Sequence, residues 1–171
     1  LSSGRHSAHY LQCARVLMNP ERAGTLARAL CQKIPRELRG KITKVISPAM
    51  GGIIIGHEMG RALDVDAVFV ERPSGTCELR RGFTIDDGDQ ILRVEDVVTT
   101  GRPSREAIKA IEAAGGEVIA AAALVDRTGG GVDLGVPFFP LVQINFPTYA
   151  PGEVPAELAA KPVEKPGSRK A

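Results

Sequence analysis

A stretch near the middle of the chain decides the fold: residues 91–104 read ILRVEDVVTTGRPS. Its first four residues are mostly aliphatic and predict a buried strand, while residues 103–114 carry apolar side chains at helical spacing. Between them lie two carboxylates, two threonines and a glycine. The N–H groups of such a turn, together with the positive end of the helix dipole, form a site suited to phosphate. The stretch therefore predicts a strand, an anion-binding turn and a helix, in that order.

The same alternation of strand and helix extends toward both ends of the chain. The pattern predicts helices over residues 20–34 and 53–63 and strands over residues 42–46, 65–70, 117–125 and 141–144. Aliphatic strands separated by helices are typical of a parallel sheet that is covered on both faces. The predicted fold class is therefore α/β, and ligands should bind beyond the carboxyl ends of the strands.

Two regions interrupt this alternation. Residues 72–89 carry turn residues at both ends and few large apolar side chains, which predicts a long hairpin or a mobile arm. From residue 147 onward, five prolines predict an extended tail with little regular structure. The predicted organisation is one domain over residues 1–150 and a Pro-rich tail over residues 151–171.

The composition argues against several classes of protein. The 171 residues carry a net charge of +2, with five Phe, two Tyr and no Trp, which disfavours binding to nucleic acid. No apolar run approaches the roughly 18 residues of a membrane span. Three cysteines without a CxxC pair disfavour a disulfide framework or a zinc knuckle. They favour a reducing compartment, and we expect the cytoplasm.

The polar residues of the central stretch indicate the kind of ligand. Thr99, Thr100 and Ser104 add hydroxyl donors to a phosphate site, whereas Glu95 and Asp96 suit sugar hydroxyls or a hydrated Mg²⁺. Phosphate donors beside carboxylates predict a phosphorylated sugar. The spacing of the glycines matches neither the GxGxxG fingerprint of dinucleotide-binding folds nor the P-loop.

The motif VEDVVTTG at residues 94–101 resembles the phosphoribosyl pyrophosphate (PRPP) motif of type I phosphoribosyltransferases. Further segments resemble the orotate phosphoribosyltransferases: SGRHS at 3–7 with Tyr10, SPAMGGI at 47–53, LRRGF at 79–83, LVDR at 124–127 and KPGSR at 165–169. These segments cover nearly the whole chain and occur in the order that the family shows.

The resemblance implies an enzyme that transfers the 5-phosphoribosyl group of PRPP to orotate, giving orotidine 5′-monophosphate and pyrophosphate in pyrimidine biosynthesis. It implies Mg²⁺ as the cofactor, held mainly by PRPP and without a direct protein ligand. It also implies a small N-terminal hood near residues 1–18, and a homodimer in which the arm at residues 72–89 reaches the neighbouring active site.

The same resemblance assigns residues to roles by their positions. PRPP would be bound by Met50, Gly51, Glu95, Asp96, Val97, Val98, Thr99, Thr100, Gly101, Arg102 and Pro103. Orotate would be contacted by Thr99, Arg127, Tyr10 and Leu11, and the catalytic residues would be Arg72, Arg80, Arg81 and Asp96. Some family members carry a lysine where Gly51 stands, and a lysine and a histidine in the arm, where this chain has arginines.

Other interpretations stay open at this stage. The enzyme could act on another base such as a purine, although the guanidinium of Arg127 favours a base that carries a carboxylate. The fold could serve a PRPP-sensing regulator that binds nucleic acid, which the low net charge disfavours. Arg80 and Arg81 could be solvated surface charges, and Arg127 could pair with Asp126 or Glu95.

Overall fold

A six-stranded sheet forms the centre of the computed structural model, which describes residues 4–164. Its strands are β1 (Lys44–Pro48), β2 (Asp66–Glu71), β3 (Glu78–Leu79), β4 (Gln90–Val98), β5 (Glu117–Asp126) and β6 (Phe138–Gln143). They lie in the order β3-β2-β1-β4-β5-β6, and all neighbours are parallel except β3, which runs antiparallel to β2. The predicted α/β class with a parallel sheet is confirmed.

The helices are α1 (Ala14–Leu17), α2 (Pro20–Lys33), α3 (Arg36–Arg39), α4 (Gly52–Leu63), α5 (Arg102–Ala113) and α6 (Ala156–Ala159). The three predicted helices are present as α2, α4 and α5, and the described residues also contain three helices of four residues each that the sequence did not predict, one of them in the Pro-rich tail. The side chain of Asn19 caps α2 by accepting a hydrogen bond from the backbone N–H of Arg22, and Pro20 occupies the first turn. Within residues 4–164, no helix has the length and apolar character needed to cross a membrane.

The two faces of β1 contact different helices, because successive side chains of a strand point to opposite sides. On one face, Gly56 of α4 lies so close to Ser47 and Val45 that a Cβ atom there would overlap the Ser47 side chain. On the other face, Ile46 packs in a buried cluster with Ile108 and Ile111 of α5. Helices therefore cover both faces of the sheet, as the sequence predicted.

Several strands differ from their predicted bounds. β1, predicted over residues 42–46, begins and ends two residues later. β4 continues to Val98 rather than ending at residue 94, because its pairing with β5 extends as far as Asp126. Glu95 and Asp96 therefore lie within the strand and not in the turn after it. β6 begins at Phe138, earlier than predicted, since an edge strand tolerates the proline at position 140.

The arm at residues 72–89 is a hairpin with a short second strand. Leu79 of β3 pairs with Val70 of β2, and the ring of Phe83 meets that of Phe69 edge to face at 5.2 Å. At its far end, the ammonium of Lys44 on β1 bonds to the Asp89 carboxylate and to a backbone carbonyl 3.1 Å away. The hairpin that the sequence predicted is therefore present and is attached to β1 and β2.

Residues 13–144 form one compact unit that contains the sheet, and the segments 4–12 and 145–164 form a second. Within the second unit, His6 and Tyr149 exchange backbone hydrogen bonds of 2.9 Å as an isolated antiparallel bridge. The guanidinium of Arg5 donates to the hydroxyl of Thr148 at 3.0 Å. The two segments thus hold each other, although they are far apart in the sequence.

Candidate functional site

The loop after β1 meets the end of β4, because these strands are parallel neighbours in the sheet. A Cβ atom at Gly51 would lie 2.8 and 2.9 Å from the two carboxylate oxygens of Asp96. The backbone of this loop therefore passes directly beside the carboxylate, and the peptide bond between Ala49 and Met50 is cis. The structure thus brings together Met50, Gly51 and Asp96, three residues that the sequence analysis assigned to PRPP.

The turn that opens α5 requires a glycine. Gly101 has a φ of +70°, which side chains rarely adopt, and a Cβ atom there would overlap the side chain of Val132. Thr99 and Thr100 are exposed just before it, and Pro103 occupies the first turn of the helix. The turn therefore presents hydroxyl groups and the N-terminal end of a 12-residue helix to solvent at the carboxyl edge of the sheet.

The two adjacent carboxylates of β4 point to opposite faces of the sheet. The Oε2 atom of Glu95 accepts hydrogen bonds from the guanidinium of Arg93 and, at 3.0 Å, from the hydroxyl of Ser104 on α5. Asp96 faces Gly51 instead. Sequence reasoning missed Arg93, although an arginine inside an aliphatic strand was the visible signal.

The environment of Asp96 shifts the titration of two groups. Burial raises the pKa of Asp96 above its ordinary value, and the neighbouring charge of Glu95 acts in the same direction, while backbone N–H groups and Arg93 act against it. Burial, with a contribution from the charge of Asp96, raises the pKa of the Cys13 thiol to about 11. The site therefore holds a carboxylate that is poorly solvated without a ligand.

A single carboxylate joins the turn that opens α5 to the arm. Glu106 on α5 accepts a hydrogen bond of 2.9 Å from Arg102 and one of 2.6 Å from Arg72, which follows β2. The hydrogen bonds from Arg102 and then Arg72 lower the pKa of Glu106. Sequence reasoning missed this link because Arg72 and Glu106 are 34 residues apart.

The other two arginines of the arm are paired within the hairpin. Arg81 makes a bidentate contact with Glu71 on β2, at 2.8 and 3.2 Å, and its guanidinium lies 5.7 Å from the centre of the Phe69 ring. Arg80 approaches the same carboxylate at 3.9 Å. Arg81 has a φ of +62°, an uncommon backbone conformation for a residue with a side chain. Arg80 and Arg81 are thus not simply solvated charges.

The residues assigned to orotate fall into two groups. Arg127 follows β5 and donates its backbone N–H to Val98 at 2.8 Å, so it lies beside Thr99 at the ends of adjacent strands. Tyr10 and Leu11 belong to the second unit, in which Tyr10 is exposed. Of the segments that carried the family resemblance, residues 165–169 lie outside the described part of the chain.

Comparison with known proteins agrees with this geometry. A family model described as a phosphoribosyl transferase domain matches residues 17–135. The orotate phosphoribosyltransferase of Novosphingobium aromaticivorans is 75% identical over 169 residues, which are 99% of this chain and 87% of that protein.

Two solved structures share the architecture. The crystal structure of orotate phosphoribosyltransferase from Aeropyrum pernix has a TM-score of 0.68 and 25% identity and covers 84% of each chain. Adenine phosphoribosyltransferase from Thermoanaerobacter pseudethanolicus has a TM-score of 0.67 over 79% of this chain and 88% of its own, but at 17% identity it shows the fold alone. The chain belongs to the phosphoribosyltransferase family, and within it to the orotate phosphoribosyltransferases.

Proposed function

We propose that this chain transfers the 5-phosphoribosyl group of PRPP to orotate, forming orotidine 5′-monophosphate and pyrophosphate. The observation that carries the proposal is the meeting of three elements at one edge of the sheet. These are the Gly51 loop, the carboxylates of β4 and the N-terminal turn of α5. Backbone N–H groups suit phosphates, and carboxylates suit sugar hydroxyls, so this edge matches a phosphorylated ribose with a second phosphate group.

PRPP would lie across this edge. Residues 99–103 would bind the 5′-phosphate, with Arg102 supplying positive charge close to the helix terminus. Glu95 and Asp96 would accept hydrogen bonds from the ribose hydroxyls, and the pyrophosphate would lie against Met50 and Gly51. Because no lysine stands at position 51, the backbone of this loop would make the contact.

Orotate would lie at the ends of β4 and β5. The guanidinium of Arg127 would bind its carboxylate, with Thr99 close by. Tyr10 and Leu11, which belong to the other unit, are assigned to orotate by the family resemblance alone. Adenine, the base in the name of the structural neighbour from Thermoanaerobacter pseudethanolicus, has no carboxylate for Arg127 to bind. Arg127 therefore favours orotate. Direct competition between bases in the assay below separates the two alternatives.

The chemistry requires no covalent nucleophile. Positive charge develops at C1′ of the ribose as pyrophosphate leaves, so the site acts by positioning the reactants and by neutralising the leaving group. Arg72, Arg80 and Arg81 of the arm would supply charge to the departing pyrophosphate. β3 is the edge strand of the sheet, with β2 and β1 between it and β4, which suits an arm that reaches the active site of a second copy in a homodimer.

Mg²⁺ fits the residues present if PRPP carries most of its ligands. Residues 4–164 hold no cluster of three or more His, Cys, Asp or Glu side chains able to bind a metal ion. Glu95 and Asp96 are adjacent oxygen donors that could contact water molecules of a hydrated ion. When bound, the ion would neutralise charge on the pyrophosphate.

We also place the enzyme in the cytoplasm, in agreement with the three cysteines, which are free thiols.

The test is the loss of orotate absorbance with PRPP and Mg²⁺. We expect turnover that stops when excess EDTA is added, and poor use of adenine, guanine and uracil. Undiminished turnover without a divalent ion would refute the proposed leaving-group chemistry. A preference for a purine would refute the role of Arg127, and a gel shift at modest salt would indicate a nucleic-acid-binding regulator instead.

A further inference from the structure

Arg93 lies in the middle of the sheet, where a charged residue is unusual. It pairs with Ile46 of β1 and Ala121 of β5, and only 1% of its surface is exposed. Burying a guanidinium is costly unless a partner compensates its charge. An aliphatic side chain would fill this position without that cost. The presence of an arginine here therefore calls for a role beyond packing.

The partner of Arg93 is a carboxylate of the candidate site. Its Nη2 atom donates to Oε2 of Glu95, two residues further along the same face of β4. The Nε and Nη1 atoms of Arg93 are buried, and neither has a hydrogen-bond partner among residues 4–164. The guanidinium of Arg93 thus uses only some of its hydrogen-bond donors when it bonds to Glu95. Buried donors without partners cost stability, so stability alone does not explain this arrangement.

The second donor to Glu95 shows what the arrangement achieves. The hydroxyl of Ser104, on the first turn of α5, also donates to Oε2. Oε2 of Glu95 thus accepts one hydrogen bond from a residue of the sheet and one from a residue of the helix. Oε1 is then the oxygen with which Glu95 can meet a ribose hydroxyl. The same guanidinium offsets the repulsion between Glu95 and the adjacent Asp96.

We propose that Arg93 is a positioning residue for PRPP: it fixes the orientation of the Glu95 carboxylate and compensates the charge of the acidic pair from inside the sheet. This inference rests on the proposed function, because it requires that Glu95 binds the ribose of PRPP. It extends that proposal to a residue that touches no substrate and that lies outside the PRPP motif.

Isothermal titration of PRPP binding, with steady-state kinetics beside it, tests the role of Arg93. Arg93→Met should weaken PRPP binding by about 10- to 100-fold, the loss expected when a hydrogen bond to a charged group is removed. The KM for orotate should stay unchanged. Arg93→Lys should recover most of the PRPP affinity, since it restores a buried positive charge. Arg93→Gln has no charge, and it carries the test if Arg93→Met does not fold.

A double-mutant cycle separates positioning from a general loss of stability. If Arg93 acts through Glu95, Arg93→Met combined with Glu95→Gln should bind PRPP no more weakly than Glu95→Gln alone. The matched control is Ile111→Ala, which empties a buried position on the same face of the sheet. It should lower the melting temperature and leave PRPP binding intact. Weak PRPP binding by this control would overturn the inference.

Two further outcomes distinguish a failure of the role of Arg93 from a failure of the proposed function. Normal PRPP binding by Glu95→Gln would remove Glu95 from the PRPP site, and the site assignment would fail together with the inference. Weak binding by Glu95→Gln with normal binding by Arg93→Gln would overturn the inference alone and leave the proposed function standing.

Discussion

The β4–α5 segment and the arm differ in how their charged side chains are held: burial fixes those of the segment, and surface ion pairs hold those of the arm. In the segment, Arg93 and Glu95 are 1% and 15% exposed. In the arm, Arg81 is 60% exposed, and its partner Glu71 is 19% exposed. Exposed ion pairs contribute little to stability, whereas breaking a buried pair is costly. The segment is therefore built in advance of substrate binding, while the arm can exchange its partners at low cost.

The largest effect should come from the arm. Arg81→Ala should lower kcat by about 10²- to 10³-fold with little change in the KM for PRPP, because charge on pyrophosphate grows in the transition state. The measurement is steady-state kinetics, with the exposed Arg36 on α3 as control: Arg36→Ala should keep full activity. Near-normal turnover by Arg72→Ala, Arg80→Ala and Arg81→Ala would show that the arm is not catalytic.

If the chain forms the proposed homodimer, mixing two inactive variants tests which subunit's active site the arm serves. If the arm acts across the interface, subunit exchange between Arg81→Ala and Asp96→Asn should create one intact site in each mixed dimer. Activity of those dimers should then return to about half, because one of the two sites in each is intact. No recovery after proven exchange would show that each arm serves its own subunit.

The next effect separates the two substrates within the fixed part of the site. Arg127→Ala should raise the KM for orotate by about 10- to 150-fold, because a hydrogen bond to a charged group is lost. Asp96→Asn should act mainly on PRPP. Equal damage to both substrates by Arg127→Ala would assign Arg127 a structural role.

The preformed geometry at Gly51 can be disturbed by a single methyl group. Gly51→Ala places a Cβ atom within 3 Å of the Asp96 carboxylate, which must then move. We expect PRPP affinity to fall on the order of 10- to 100-fold, as for small misplacements in active sites. Gly40→Ala is the matched control, because its Cβ would meet only the carbonyl oxygen of Arg36 at 3.5 Å. Equal PRPP affinity of both variants would contradict the close apposition of Gly51 and Asp96.

The smallest effect is on the pH dependence of folding stability, and it has opposite signs for Asp96 in the β4–α5 segment and for Glu71, the partner of the arm. Because the pKa of Asp96 is raised, the folded state holds more protons than the unfolded state above the ordinary value of 3.8, so stability is lost as pH rises through this window. The pKa of Glu71 is lowered by Arg81, so its contribution is present above the ordinary value of 4.5 and is lost as pH falls.

At pH 7, Asp96→Asn should therefore raise the melting temperature and Glu71→Gln should lower it slightly. Thermal unfolding followed by circular dichroism from acidic to neutral pH checks both signs. The two differences from the unmodified chain should shrink as the carboxyl groups become protonated. A lower melting temperature for Asp96→Asn at pH 7 would show that the ionised Asp96 carboxylate does not destabilise the folded state.

Local patterns predicted the fold well because they carry the signals of strands, helices and turns. The aliphatic runs predicted the parallel strands, and Asn19-Pro20 marked the start of α2. The end of β4 was misplaced because carboxylates are rare in strands, and only pairing with β5 keeps Glu95 and Asp96 there. Hydrogen bonding between strands is a tertiary property that the local pattern does not contain.

The candidate site was predictable where its residues are contiguous, and unpredictable where distant segments meet. The motif at residues 94–101 predicted the glycine turn that opens α5. The contacts of Arg72 with Glu106 and of Arg81 with Glu71 were missed because each joins two different parts of the fold. Arg93 was missed although its place among aliphatic residues was a signal, because its complete burial follows from the position of β4 between β1 and β5 in the sheet.

The pairing of the two terminal segments sets the earliest point in synthesis at which the N-terminal segment can reach its final structure. Arg5 and His6 bond to Thr148 and Tyr149, residues that a ribosome adds after the whole sheet has been made. The strands β1 to β5 can assemble during synthesis, but the segment that carries Tyr10 must wait for its partners. A nascent chain that has already formed most of the sheet therefore still holds residues 4–12 without their final backbone pairing until residues 148 and 149 have been made.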